Sequence, residues 1–191
     1  MRMNINVKLA EHQKIETNRL WLRPFVMSDA ADMFEYSSDA SNLQFVFNPH
    51  PNLAHTSFVI ANHFMKEPLG KWAIELKSEQ KMIGLIQFSK LVEQKGTAEL
   101  SYVLHKKYWN QGLMTEALAA VTQVCLKEIG LKQLVLNCDR ENLSSIRVAQ
   151  KVGYKRIGRF KGSTQYNKGR ISEFEEFAIK KGNQVLGVSH V

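Results

Sequence analysis

Apolar and polar positions alternate and cluster along this chain in a pattern that predicts a strand, two helices, three strands, a helix, a strand, a helix and two strands. Leu20-Trp21-Leu22-Arg23-Pro24-Phe25, within Ile15 to Phe25, reads as an apolar-rich strand stopped by Pro24. Ser28 and Asp29 can cap a helix running to about Ser37, with Ala30, Met33 and Phe34 facing inward. Asn48-Pro49-His50-Pro51-Asn52 is a turn, and Leu53 to Met65 an amphipathic helix ended by Pro68 and Gly70. Trp72, Ile74 and Leu76 alternate in a strand. Ser78-Glu79-Gln80 is a hairpin loop, and Lys81 to Phe88 the return strand, with Gly84 a bulge or close-packing point.

Ala98 to Leu104 is the next strand. The longest helical period runs from about Gly112 to Ile129, with Ala117, Leu118, Val121, Val124, Cys125 and Ile129 on one face and Gly130 as its stop. Gln133 to Cys138 is a short buried strand. Asn142 to Val152 is a helix ended by Gly153, with Ile146, Val148 and Ala149 apolar. Tyr154 to Phe160 and Ile171 to Ile179 are the closing strands. The order predicts an α+β fold of three layers, a central mixed and mostly antiparallel sheet flanked by helices. Residues 1–14 read as a loose N-terminal arm, 15–181 as one domain and 182–191 as a tail.

Between the strand at Leu100 and the long helix lies Tyr108-Trp109-Asn110-Gln111-Gly112-Leu113-Met114-Thr115-Glu116-Ala117-Leu118. A strand that turns through a glycine into a helix leaves backbone N–H groups unpaired and pointing one way, at the positive end of the helix dipole. Gly112 has no Cβ to hold a phosphate off the backbone. No acid lies between Leu100 and Thr115, and Lys106 and Lys107 are near. The turn is a candidate pyrophosphate cradle. An ordinary strand–helix connection would look the same from one glycine alone.

Composition narrows the partners. The chain has 191 residues, enough for one domain with a sizeable core, and is 44% hydrophobic and 23% charged. Its net charge is +8, from 26 basic and 18 acidic residues, which favours anionic partners. The basic residues are dispersed, and no interleaving of aromatic and basic residues marks a single-strand binder, so direct nucleic-acid binding is not expected. No apolar run approaches the roughly 18 residues of a membrane helix, and no apolar export signal is evident, so a cytoplasmic protein without a membrane partner is expected. Cys125 and Cys138 sit in apolar segments and read as buried thiols; no His or Cys spacing suggests a metal.

The element order and three motifs resemble the GCN5-related N-acetyltransferase (GNAT) superfamily, and within it the bacterial ribosomal-protein N-terminal acetyltransferases. The motifs are Arg19-Leu20-Trp21-Leu22-Arg23-Pro24, the turn from Tyr108 to Leu118, and Asn142-Leu143-Ser144-Ser145-Ile146-Arg147-Val148-Ala149-Gln150-Lys151-Val152-Gly153-Tyr154. The resemblance spans about Ile15 to Lys181. It implies an enzyme that passes the acetyl group of acetyl-CoA directly to a primary amine, such as a protein N-terminal α-amine of ribosomal type. The alternatives are a small amine (polyamine, antibiotic or amino acid derivative) or a CoA-binding sensor without catalysis. A homodimer is plausible.

The same resemblance implies the site. Trp109, Asn110, Gln111, Gly112, Leu113, Met114 and Thr115 would hold the pyrophosphate. Val103 and Leu104 would pair by backbone with the pantetheine arm, Asn142 would contact a pantetheine amide, and Lys151 would meet a CoA phosphate. Glu99 would be the general base, directly or through water, and Ser145 would lie at the departing sulfur. Each has a plainer reading: Asn142 is a good N-cap, Lys151 a solvated lysine, Ser145 a first-turn residue, Glu99 a carboxylate paired with a lysine. Trp72 and Tyr102 could line the acceptor cleft or simply be core; loops Phe45 to Leu53 and Lys161 to Arg170 would supply its walls.

Four positions depart from the family pattern, among them Met114, which stands where Gly or Ala is usual. Trp109 stands where Arg or Gln is usual, removing a charged contact. Asn110 stands where Gly is common, which is tolerable if φ there is negative. Ala149 occupies the place of a tyrosine thought to act as general acid in many relatives.

Overall fold

The computed structural model describes residues 4–163 and 171–187. Eight strands form one sheet in the order β1-β2-β3-β4-β5-β6-β8-β7: β1 Ile15–Glu16, β2 Leu20–Arg23, β3 Lys71–Leu76, β4 Lys81–Val92, β5 Thr97–Leu104, β6 Gln133–Asp139, β7 Lys155–Gly162 and β8 Ser172–Lys180. Every pairing is antiparallel except β5 with β6.

Because side chains alternate across a strand, the sheet carries a different core on each face. On one face Leu20, Leu22, Trp72, Ile74, Leu100, Leu134, Leu136 and Phe177 pack against α4 (Leu113–Val124) and α5 (Leu143–Val152). On the other, Phe25, Met33, Tyr36, Ile60, Phe64, Leu85 and Val103 join α2 (Ala30–Ser37) and α3 (Leu53–Val59) to the sheet. The three predicted layers are present. Tyr36, fully buried, takes the inward place expected of Phe34, which is only half-buried.

The expected loose arm is instead partly helical. Asn4 caps α1 (Ile5–Glu11) by accepting the Asn6 N–H, and Leu9 is buried to 1% exposure in the α4-side core. Burying a leucine contributes about 1.5–3 kcal/mol, which anchors so short a helix. Trp72 belongs to the same core, with its indole N–H on the His12 carbonyl at 3.2 Å, and does not line a cleft. α3 and α4 both continue as wider π-type turns, over Ile60–Met65 and Cys125–Ile129. Gly130 closes the latter at φ 83°. β4 runs to Val92, four residues past the expected end at Phe88.

Gly84 is where β3, β4 and β5 crowd. The β3–β4 register shifts beside it, and a Cβ there would stand 2.4 Å from the Val103 carbonyl oxygen. Both readings of that glycine hold.

Candidate functional site

The site begins where β5 and β6 part. Their parallel pairing runs from Thr97↔Gln133 to Leu100↔Leu136 and stops, while β5 continues beside β4 to Leu104. Antiparallel bonding alternates along a strand. His105 N–H donates to Ile83 O at 2.8 Å, which fixes the phase. Val103 therefore turns its peptide groups towards β4, and its carbonyl faces Gly84. Tyr102 and Leu104 turn theirs towards the opening. This corrects the backbone pairing expected of Val103. The Leu104 carbonyl is already engaged, by Asn42 Nδ2 at 3.2 Å and by the Trp109 indole N–H at 2.8 Å. Tyr102 and the Leu104 N–H are what remains on the open edge.

At the mouth of the opening is the glycine turn. Gly112 caps α4 with φ 75°, and the first helical bond runs from Glu116 N–H to Gly112 O. The amides of residues 110–115 meet no acceptor among the described residues. Six consecutive free N–H groups at a helix start form an anion cradle. Asn110 sits at φ 61°, so the condition of a negative φ is not met; asparagine is among the residues that tolerate this left-handed region. Trp109 contributes neither of its N–H groups, since its amide donates to Lys106 O at 3.1 Å and its indole to Leu104.

The cation at this turn is one that sequence reasoning missed. The Arg19 guanidinium donates to Gln111 O at 2.9 Å and to Glu116 at 2.7 Å, and its second terminal nitrogen would be 3.5 Å from a Cβ on Gly112. Arg19 stands within the first family-like motif, but nothing local ties it to a turn more than ninety residues away. Glu116 also accepts from Thr17 Oγ1 at 2.7 Å and from the Arg19 amide at 2.9 Å. Burial alone would raise its pKa, yet Thr17 and Arg19 hold it below the usual glutamate value. Lys106 and Lys107, the cations expected near the turn, are engaged: Lys106 with Asp39 and Ser41, Lys107 with Glu79 and the Tyr108 hydroxyl.

Inside the opening, Asn142 caps α5 by accepting the Ser145 N–H at 3.1 Å, leaving its Nδ2 without a partner among the described residues. Ser145 Oγ lies 2.7 Å from the Tyr102 hydroxyl and 3.2 Å from Cys138 Sγ. Tyr102 thus faces the α5 side and not an acceptor cleft. Burial pushes its pKa far up, so its hydroxyl stays protonated. Ala149 is fully buried. Lys151 is exposed in the last turn of α5, about 13 Å of helix beyond Asn142 at 1.5 Å per residue. Both cysteines are buried and free.

Glu99 lies on the opposite face of β5, with Ser101 and Val103. Its cross-strand neighbour is Lys90, but Glu99 makes no ion pair among the described residues. The predicted cleft wall at 164–170 lies outside the described residues. A hollow of about 500 Å³ lies elsewhere, between β2–β3 and the start of α2. Its Asp29 and Glu75 are held by Arg23, and its Asp32 by Lys81, so it is an ion-paired surface and carries none of this chemistry.

The acetyltransferase (GNAT) domain family model matches residues 19–155. The chain belongs to this family. The GNAT domain is 32% identical over 151 residues to the uncharacterized N-acetyltransferase YnaD of Bacillus subtilis, covering 77% of this chain and 85% of that protein. It is 30% identical over 76 residues to the ribosomal-protein-serine acetyltransferase of Escherichia coli (40% of this chain, 42% of that one). It is 22% identical over 134 residues to the spermidine N(1)-acetyltransferase of the same organism (70% and 71%). A GNAT-family acetyltransferase structure from Bacillus anthracis superposes with a TM-score of 0.79 at 26% identity, over 89% of this chain and 99% of that one. The protein is therefore an N-acetyltransferase with acetyl-CoA as its co-substrate. Among the described residues no cluster of His, Cys, Asp or Glu could hold a metal, and no helix is long and apolar enough to cross a membrane.

Proposed function

We propose that this GNAT domain passes the acetyl group of acetyl-CoA to a primary amine by direct attack in a ternary complex. The observation that carries this reading is the run of free amides at 110–115, set at the mouth of the β5–β6 opening. The pyrophosphate would sit on those amides, with Arg19 adding charge that Trp109 cannot. The pantetheine arm would enter beside Tyr102 and Leu104 and meet Asn142 Nδ2.

Attack needs a deprotonated amine, and Glu99 is assigned here as the group that would receive the proton, directly or through water. As the nitrogen bonds to the carbonyl carbon, the carbon–sulfur bond breaks and its electron pair stays on sulfur. A thiolate with a reference pKa of about 8.5 can leave without a proton if a donor meets it. Ser145 is that donor. The Tyr102 hydroxyl, 2.7 Å from Ser145 Oγ and 3.3 Å from the Ser145 carbonyl, would hold the serine in place, and when Tyr102 donates to Oγ the serine hydrogen can turn to the sulfur.

The ribosomal-protein relative supports a protein α-amine as acceptor, whose reference pKa near 8 demands little of a base. The spermidine relative supports a small amine. Calorimetry with acetyl-CoA, followed by thiol release over N-terminal peptides and small amines, tests the reading. Binding with release on any amine supports it; a folded protein that does not bind acetyl-CoA refutes it.

A further inference from the structure

We propose that Asn137 and Glu176 form the acceptor subsite, and that it takes an amine bearing a second positive charge. The proposal rests on the acetyl-transfer reading and adds where the acceptor sits.

Asn137 Oδ1 is buried and has no hydrogen-bond partner among the described residues. Buried amide oxygens are nearly always satisfied, so an orphan at a reaction centre calls for a donor that arrives with the ligand. The position fits. Asn137 follows Leu136, the last β6 residue paired with β5, and so stands where the strands part. Leu136 and Cys138 point into the α4–α5 core, which turns Asn137 to the opposite face. Glu99 shares that face, since its β6 neighbour is Val135, two residues before Asn137.

On its other side Asn137 is the cross-strand partner of Glu176. Beyond Glu176 comes Gly158, which has no side chain; a Cβ there would stand 3.2 Å from Glu176 Oε2. The glycine gives the carboxylate room. Its neighbours on β8 are neutralised, Glu173 by Arg140 and Glu175 by Arg156 and Arg159. Glu176 forms no ion pair among the described residues, although the chain carries a net charge of +8.

The chemistry follows from this order across the sheet. A neutral amine attacking the acetyl carbon has two N–H bonds to direct. One goes to Asn137 Oδ1, which takes no proton; the proton lost on attack goes to Glu99 or water. Neighbouring strands lie about 4.8 Å apart, so a second ammonium reaching Glu176 needs about a three-carbon spacer. A half-buried carboxylate with no ion pair among the described residues leaves a charge for the acceptor to meet.

The test uses propylamine and 1,3-diaminopropane, which differ in that charge, with thiol release as readout and acetyl-CoA calorimetry on every variant. The parent should show at least a tenfold higher kcat/KM for the diamine. Glu176→Gln should remove that preference, lowering kcat/KM for the diamine at least tenfold more than for propylamine. Asn137→Leu should lower kcat/KM for both amines at least tenfold, and Asn137→Asp, which keeps an acceptor oxygen, should recover most of it. Acetyl-CoA affinity should stay at the parental value in all three. Equal use of the two amines by the parent, full diamine preference in Glu176→Gln, or parental rates in Asn137→Leu would each overturn the proposal. So would turnover of N-terminal peptides alone, which leaves the acetyl-transfer reading standing. Loss of acetyl-CoA binding in the parent would overturn both.

Discussion

Arg19 and Glu116 meet at 2.7 Å across ninety-seven residues, and this pair fastens the β1–β2 turn to the first turn of α4. Glu116 is only 12% exposed and accepts from Thr17 and from the Arg19 amide as well. Replacing it leaves several donors without an acceptor. Glu116→Ala should cost about 1–3 kcal/mol in urea unfolding. The pH dependence has a definite sign. The folded pKa lies below the unfolded one, so the unfolded chain binds the proton more readily, and this contribution is present above the unfolded value of about 4.3. It should fade as pH falls below that, through the lower folded value, and the Glu116→Gln variant should lack that part of the acid sensitivity.

Gly112 holds φ 75° with open space where a Cβ would go, its nearest neighbour being Arg19 at 3.5 Å. Gly112→Asp adds a negative charge and an atom on the approach to six amides. Acetyl-CoA affinity measured by calorimetry should fall at least tenfold. A folded variant with parental affinity would remove the turn from the cofactor site.

Ser145 and Tyr102 should behave as a pair. Ser145→Ala should lower kcat about 10- to 100-fold, within the range for losing one transition-state donor or somewhat less, with little change in acetyl-CoA affinity. Tyr102→Phe should act in the same direction but more weakly, since it removes the hydrogen bond that orients Ser145. The double variant should cost no more than Ser145→Ala alone. Additive losses in kcat would show that Tyr102 acts independently.

Glu99→Gln should reduce the rate more at low pH than at high pH. At high pH the acceptor is already deprotonated and needs no base; at low pH the loss of a proton acceptor is felt in full. Lys90, across the strand pair, is the other charged group facing this position. A pH–rate profile identical to the parent's would exclude Glu99 from proton transfer.

The sequence made most of the fold legible because its elements announce themselves locally. Gly112, Gly130 and Gly153 all sit at positive φ at helix ends, and the apolar period between the first two survives in α4. α1 was hidden because one buried leucine in a polar stretch gives no period. The glycine turn and the Asn142 cap were legible as local structure, because each lies within a contiguous motif. Arg19 and Glu116 were not legible in these roles, because a pairing across ninety-seven residues leaves no local trace. Nor was Asn137, a single polar residue in an apolar strand whose meaning depends on where pairing stops. The alternation that turns Val103 away from the opening depends on the phase of β4, which no reading of β5 alone provides.

The unfinished edge between β5 and β6 also bears on how the protein endures. A sheet joined there by four register pairs, whose open stretch is the proposed seat of the co-substrate, would bind acetyl-CoA only when folded. A ligand held at a hundred times its Kd adds about 2.7 kcal/mol to folding stability. The lifetime of this chain, its melting temperature and its resistance to proteolysis should therefore rise and fall with the acetyl-CoA supply, so that abundance of the catalyst follows the availability of the group it transfers.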